Sequence, residues 1–150
     1  MRVLIALDES SVSLRAAREA ARLFSPCGAE FLVINVARIP VPMVTGAGFG
    51  MVTPMQADAR WLMPAEENEA DLAERAEQAG VPDAEPIATS GDPVRLICEA
   101  AEEHDVDVVV VGSHDKSALN RLFDPSISAQ VVRDTHRPVL VVSGEPPSGR

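Results

Sequence analysis

Residues 106–142, VDVVVVGSHDKSALNRLFDPSISAQVVRDTHRPVLVV, decide the fold. Two β-branched runs, Val108–Val111 and Val139–Val142, bracket a Gly-led polar loop and one helix-length segment. Apolar runs without alternation suit strands buried on both faces, as in a parallel sheet covered by helices. In such a sheet ligands sit where a strand's carboxyl end leaves for a helix. Gly112, directly after Val111, lets backbone approach backbone or ligand where a Cβ would clash. The loop that it opens offers Ser113, His114, Lys116 and Ser117, donors suited to an anion.

Working outward, the same alternation recurs along the chain. Val3–Leu7 is a short apolar run, and a helical stretch to about Leu23 follows. Ser10 or Ser11 caps that helix, and Leu14, Ala17 and Ala21 mark its core-facing stripe. Phe31–Val36 reads as a second strand, Ala65–Ala79 as an acidic helix stopped by Gly80 and Pro82, and Glu85–Thr89 as a third strand. Asp92-Pro93 supplies an N-cap and an N1 proline for a helix to about His104. Asp107–Val111 is the fourth strand. Asp124-Pro125 opens a helix to about Asp134, and Pro138–Val142 is the last strand. The fold class is therefore α/β, a single open parallel sheet with right-handed crossovers and helices on both faces. Residues 1–143 form that domain and 144–150 a disordered tail. Residues 38–63 break the rhythm with three Pro, three Gly, four Met and Trp61. That crossover is expected to cover the sheet's carboxyl edge or a dimer seam, the alternative being a disordered insertion.

Composition excludes several classes of function. At 150 residues, 46% hydrophobic and 3% aromatic, the chain can bury one aliphatic, Ala-packed core. The net charge of −10 has the wrong sign for a nucleic-acid or anionic-membrane binder. No apolar stretch reaches the roughly 20 residues that span a bilayer. Nor does the amino terminus resemble a secretory signal, so a cytoplasmic protein is expected. Cys27 and Cys98 lie 71 positions apart with no CxxC, which suits two reduced, buried thiols rather than a disulfide or a nucleophile. GlyAlaGlyPheGly at 46–50 is no dinucleotide fingerprint, because Met51 stands where the third Gly belongs. The acidic run at 66–74 is a solvated helix face. No nucleophile–base pair, metal-ligand spacing or GK[ST] loop is present, so no enzyme and no catalytic residue is expected.

Four segments carry a family resemblance: VLIALDES at 3–10, GDPVRLICEAA at 91–101, DVVVVGSHDK at 107–116 and HRPVLVV at 136–142. In this order and spacing they resemble the universal stress protein (UspA) family. The resemblance implies a Rossmann-like sheet of strand order 3-2-1-4-5, a homodimer through the C-terminal strand, and an ATP or AMP-type adenine nucleotide as ligand. It implies that Ala6, Asp8 and Val36 hold base and ribose, with Val111 and Gly112 lining the other side. On the phosphate side Ser126 and Ser128 keep their hydroxyls, beside the loop donors Ser113, His114 and Lys116. Read from the residues alone, Asp8 is equally an Asx-type cap on the strand-to-helix turn, and His114 an exposed loop histidine.

ATP-binding members carry Gly, two residues, Gly, nine residues, Gly, then Ser or Thr. Here Asp115 replaces the second Gly and Pro125 the third, with Ser126 keeping the hydroxyl. Asp115 brings a carboxylate toward the phosphates, at up to about 4 kcal/mol per like-charge pair at ~4 Å and an effective dielectric of about 20. Pro125 has no N–H and removes a donor from the helix start. Lys116 could offset part of Asp115, and a Mg²⁺ ion on Asp115 would reverse the sign. The resulting expectation is a stress-response domain with a degenerate nucleotide site, in which ATP suffers more than AMP. Its alternatives are an ATP-binding member with slow or no hydrolysis, and a pure interaction module without ligand.

Overall fold

The computed structural model describes residues 1–37, 68–113 and 127–144. Within them the chain runs β1 (Arg2–Ala6), α1 (Ser11–Phe24), β2 (Glu30–Ala37), α2 (Glu69–Gln78), β3 (Glu85–Ser90), α3 (Pro93–Glu103), β4 (Val108–Ser113), α4 (Ile127–Asp134) and β5 (Val139–Ser143). The five strands form one parallel sheet in the order β3-β2-β1-β4-β5. This is the Rossmann-like order that the family resemblance implies. The expected crossover at 38–63, the cap at Asp124-Pro125 and the tail from 145 on lie outside the described residues.

The β-branched runs do what their lack of alternation predicts. Val3, Leu4 and Ile5 in β1 and Val109 and Val110 in β4 are fully buried. Odd residues of β1 face a core closed by Ala16, Ala17 and Ala20 of α1 and by Leu72 and Ala76 of α2. Even residues face a second core closed by Val94, Ile97 and Ala101 of α3 and by Val131 of α4. At about 25 cal/mol per Å² of apolar surface, each buried Val or Leu contributes roughly 1.5–3 kcal/mol before chain entropy is counted.

Besides shifts of about one residue at strand ends, three features differ from the sequence reading. The buried face of α1 is Ser13, Ala16, Ala17 and Ala20, while Leu14 and Ala21 only flank the core. The stripe is rotated because small residues let the helix lie close to the sheet, and the longer Leu14 fits at its margin. Helix α2 starts at Glu69 rather than Ala65, because the Asn68 side chain accepts the Asp71 N–H at 2.9 Å and fixes the cap there. The acidic run is otherwise the expected solvated face, with Glu69, Asp71 and Glu74 exposed and Leu72 buried. Strand β4 continues through Gly112 to Ser113, paired with Val142 and Ser143, so Gly112 ends a strand rather than opening a loop.

At the amino end of the sheet, charged side chains close the turns. The Arg2 N–H donates to Asp107 Oδ2 at 2.7 Å, and the Asp107 N–H returns a bond to the Arg2 carbonyl at 2.9 Å. Arg137 donates to Glu102 at 2.8 Å, to Asp105 at 2.9 Å and to the Val106 carbonyl at 3.1 Å. It thereby pins the start of β5 to the end of α3. These bonds hold the Glu102 carboxyl below the usual carboxylate range and push the Arg137 guanidinium further up.

Candidate functional site at the carboxyl end of the sheet

Pairing between β1 and β4 stops at Ile5↔Val110. Each strand nevertheless stays tied to its outer neighbour. β1 follows β2 through Ala6↔Ile34 and on to the Leu7 N–H, which donates to the Ile34 carbonyl at 2.9 Å. β4 follows β5 through Ser113↔Ser143, and the Ser113 carbonyl accepts the Gly144 N–H at 3.1 Å. The sheet therefore splits between its two central strands, with Ala6 and Val111 as the first residues past the last pair. It is also where the strand order reverses, the location at which open α/β sheets bind ligands.

One lip of the split is the β1–α1 turn. Its Asp8 is exposed, and Asp8 Oδ1 accepts the Ser10 N–H at 2.8 Å, an Asx turn. Ser10 caps α1 through its Oγ, which accepts the Ser13 N–H at 3.2 Å. The Ser13 hydroxyl, only 5% exposed, accepts the Asp8 N–H at 3.1 Å and lies 2.9 Å and 3.0 Å from the Asp8 and Ser10 carbonyls as a donor. The cap reading of Asp8 is thus realised in the turn that forms this lip.

The other lip is Gly112 and Ser113, both half-buried. A Cβ on Gly112 would stand 2.8 Å from Val12 Cγ1 and 3.0 Å from the Val12 backbone carbonyl. Gly112 is therefore needed for the first turn of α1 to seat against β4. Of the two close approaches that its position allows, backbone to backbone is the one observed. The two lips are locked to each other through this contact.

The remaining candidates divide as follows. Val36 sits one residue before the end of β2, half-buried against the α3/α4 core and paired with Thr89. Val111 is buried, and Ser128 is buried in the first turn of α4. His114, Lys116 and Ser126, with Asp115 and Pro125, lie outside the described residues. Ser13 and Val12 were not anticipated as site residues. Ser13 carried a signal in the spacing Asp8-x-x-x-x-Ser13, whereas the contact of Val12 with Gly112 joins residues a hundred positions apart.

Among the described residues no group of three or more His, Cys, Asp or Glu could hold a metal ion. The Cys98 thiol is pushed up, first by burial and then by the nearby carboxylates of Asp134 and Glu102, which makes it a poor nucleophile. Cys27 is exposed, contrary to the expected buried thiol, because it lies in the short 3-10 turn Ser25–Cys27 after α1. Among the described residues no helix is long and apolar enough to cross a membrane.

The sequence profile of the universal stress protein family matches residues 1–143. Over 93% of this chain and 96% of the relative, the chain is 34% identical to a universal stress protein of Thermus aquaticus. It is 31% identical to universal stress protein MJ0531 of Methanocaldococcus jannaschii, over 94% of this chain and 81% of that protein. Among solved structures, a universal stress protein in complex with cAMP superposes with a TM-score of 0.62 at 25% identity, covering 95% of this chain and 96% of that one.

Proposed function

The chain belongs to the universal stress protein family, and from that premise we propose that it is a cytoplasmic, non-catalytic homodimer that binds an adenine nucleotide in the β1/β4 split. The observation that carries this reading is the parting of β1 and β4 after Ile5↔Val110, beside the β1–α1 turn that carries Asp8. A carboxylate at that position is an acceptor for sugar hydroxyls, and Ala6, Val36 and Val111 offer an apolar wall for a base. The cAMP complex of a relative with the same fold supports a nucleotide as the ligand class.

The phosphate side sets the preference. Asp115 adds a negative charge and Pro125 removes an N–H where the family's nucleotide motif has glycines. AMP-type ligands therefore bind better than ATP, and the role is to sense or carry the ligand rather than to turn it over. Titration calorimetry with AMP and ATP, with and without Mg²⁺, tests this directly. AMP tighter than ATP is expected. Micromolar ATP affinity without Mg²⁺ would overturn the reading of the two replaced glycines.

The dimer reading rests on β5. It is the sheet's edge, pairs only with β4 among the described strands, and presents Val141 at 43% exposure. An apolar β-branched edge left in water is an aggregation template, and a two-fold mate removes both edges at once. Light scattering should give twice the chain mass. A stable monomer would sink this part of the proposal.

A further inference from the structure

We infer that nucleotide binding in the split and dimerisation through β5 are coupled, each strengthening the other. The inference rests on the nucleotide and dimer readings above and adds a link that neither contains. That link is one strand wide. Residues 111–113 of β4 form a lip of the split, and past Ile5↔Val110 they no longer have β1 as a neighbour. Among the described strands only β5 remains beside them, through Val111↔Val141, Gly112↔Val142 and Ser113↔Ser143. No described strand lies on the far side of β5. At its carboxyl end this half of the sheet is therefore a two-stranded ribbon, and two paired strands alone are marginal in water. Side chains steady it in part, since Val111 and Val142 are buried and Val12 lies against Gly112.

Alternation along β5 assigns its backbone groups. The Val109 N–H donates to the Pro138 carbonyl at 2.9 Å, and the Gly144 N–H donates to the Ser113 carbonyl at 3.1 Å. Pro138 and Gly144 thus mark one side of the strand. The even residues between them, Leu140 and Val142, also turn N–H and C=O toward β4. Val139, Val141 and Ser143 turn theirs outward, and these are the groups that a two-fold mate takes up.

With the mate in place, the ribbon becomes the interior of a continuous sheet. Fraying of β5 then breaks bonds on both of its sides, and the lip bonded to β5 stays where a ligand meets it. In the other direction, a ligand that spans the two lips holds β4 extended, and through β4 it holds β5 in the form that pairs with a mate. Each event removes part of the ordering cost of the other, which is positive coupling without a change of fold.

The test reads the coupling from both sides. Val141→Pro removes an outward N–H and leaves the bonds to β4 in place, so it should give a folded monomer. In calorimetry its AMP affinity should be roughly tenfold weaker than that of the unmodified dimer. Linkage requires the reciprocal effect, and with one site on each protomer the factor is squared. Saturating AMP should therefore lower the dissociation constant of the unmodified dimer by about a hundredfold in sedimentation equilibrium. It should also slow subunit exchange between isotope-labelled and unlabelled copies, followed by native mass spectrometry. The exchange measurement needs no variant and decides the matter even if Val141→Pro does not fold. Equal AMP affinity in monomer and dimer, or exchange indifferent to AMP, overturns the coupling alone. A weaker monomer together with indifferent exchange marks local damage to β5 and overturns it as well. Failure of the unmodified chain to bind AMP, or to dimerise, overturns the inference together with the reading beneath it.

Discussion

The two ends of the sheet are closed by different chemistry. At the amino end, Arg2, Asp107, Arg137, Glu102 and Asp105 join elements far apart in sequence through charged side chains. At the carboxyl end, Asp8, Ser10, Ser13 and Asp92 use small polar side chains on backbone N–H groups at most five residues away, and one ion pair, Arg75 of α2 with Glu9 at 3.5 Å, adds a longer-range tie to the β1–α1 turn. The first kind of bond ties elements into a frame and can loosen without moving any one turn. The second shapes single turns. A parallel sheet whose chain always re-enters at one end and departs at the other can separate the two tasks in this way.

The sharpest way to break the contrast is at Gly112, where the carboxyl end does carry a tertiary contact. Gly112→Ala puts a methyl within 3.0 Å of Val12, against backbone as well as side chain. We expect a loss of about 1–3 kcal/mol from overpacking, read by chemical denaturation, with AMP affinity falling as the β1–α1 turn is lifted. Next is Arg137→Ala at the opposite end. It should lower the Tm measurably yet leave AMP affinity unchanged in calorimetry, since its partners Glu102, Asp105 and Val106 all lie at the amino end. A change in affinity would show that the two ends are not separate.

The smallest effect concerns pH. The folded Glu102 carboxyl is held below its ordinary 4.5 by the Arg137 bond. A depressed folded value adds stability above the unfolded pKa, and that stability is lost as pH falls through the folded one. Glu102→Gln should therefore narrow the gap in Tm between neutral and acid pH, in the window just below 4.5. The side chain is about half exposed, 48%, so solvent screens the pair and the change is modest.

Much of the fold was legible because aliphatic runs with no period allow little besides buried parallel strands. Val108–Val111 and Val139–Val142 were placed correctly on that ground. Gly112 misled because a glycine before polar residues looks like a loop, while its strand pairing depends on Val142, thirty positions on. Of the expected α1 stripe, Ala17 lies in the buried row while Leu14 and Ala21 pack at its margin, and Ser13, whose hydroxyl is satisfied locally, is buried in a place that no apolar pattern marks. At the site, the Asp8 turn was readable from the Asp–Ser spacing. The seat of Val12 was not, since nothing local announces a contact with Gly112.

The order β3-β2-β1-β4-β5 also has a kinetic consequence. β1 sits in the middle of the sheet, and its second neighbour begins at Val108, paired with Val3. At synthesis rates of about 5–20 residues per second, that partner follows β1 by roughly 5–20 s. Until then β1 can be flanked only by β2, with a row of unpaired N–H and C=O groups along its other side. Closing so long a loop is slow in any case. The strand most deeply enclosed in the finished protein is therefore the one whose flank stays open longest during its making.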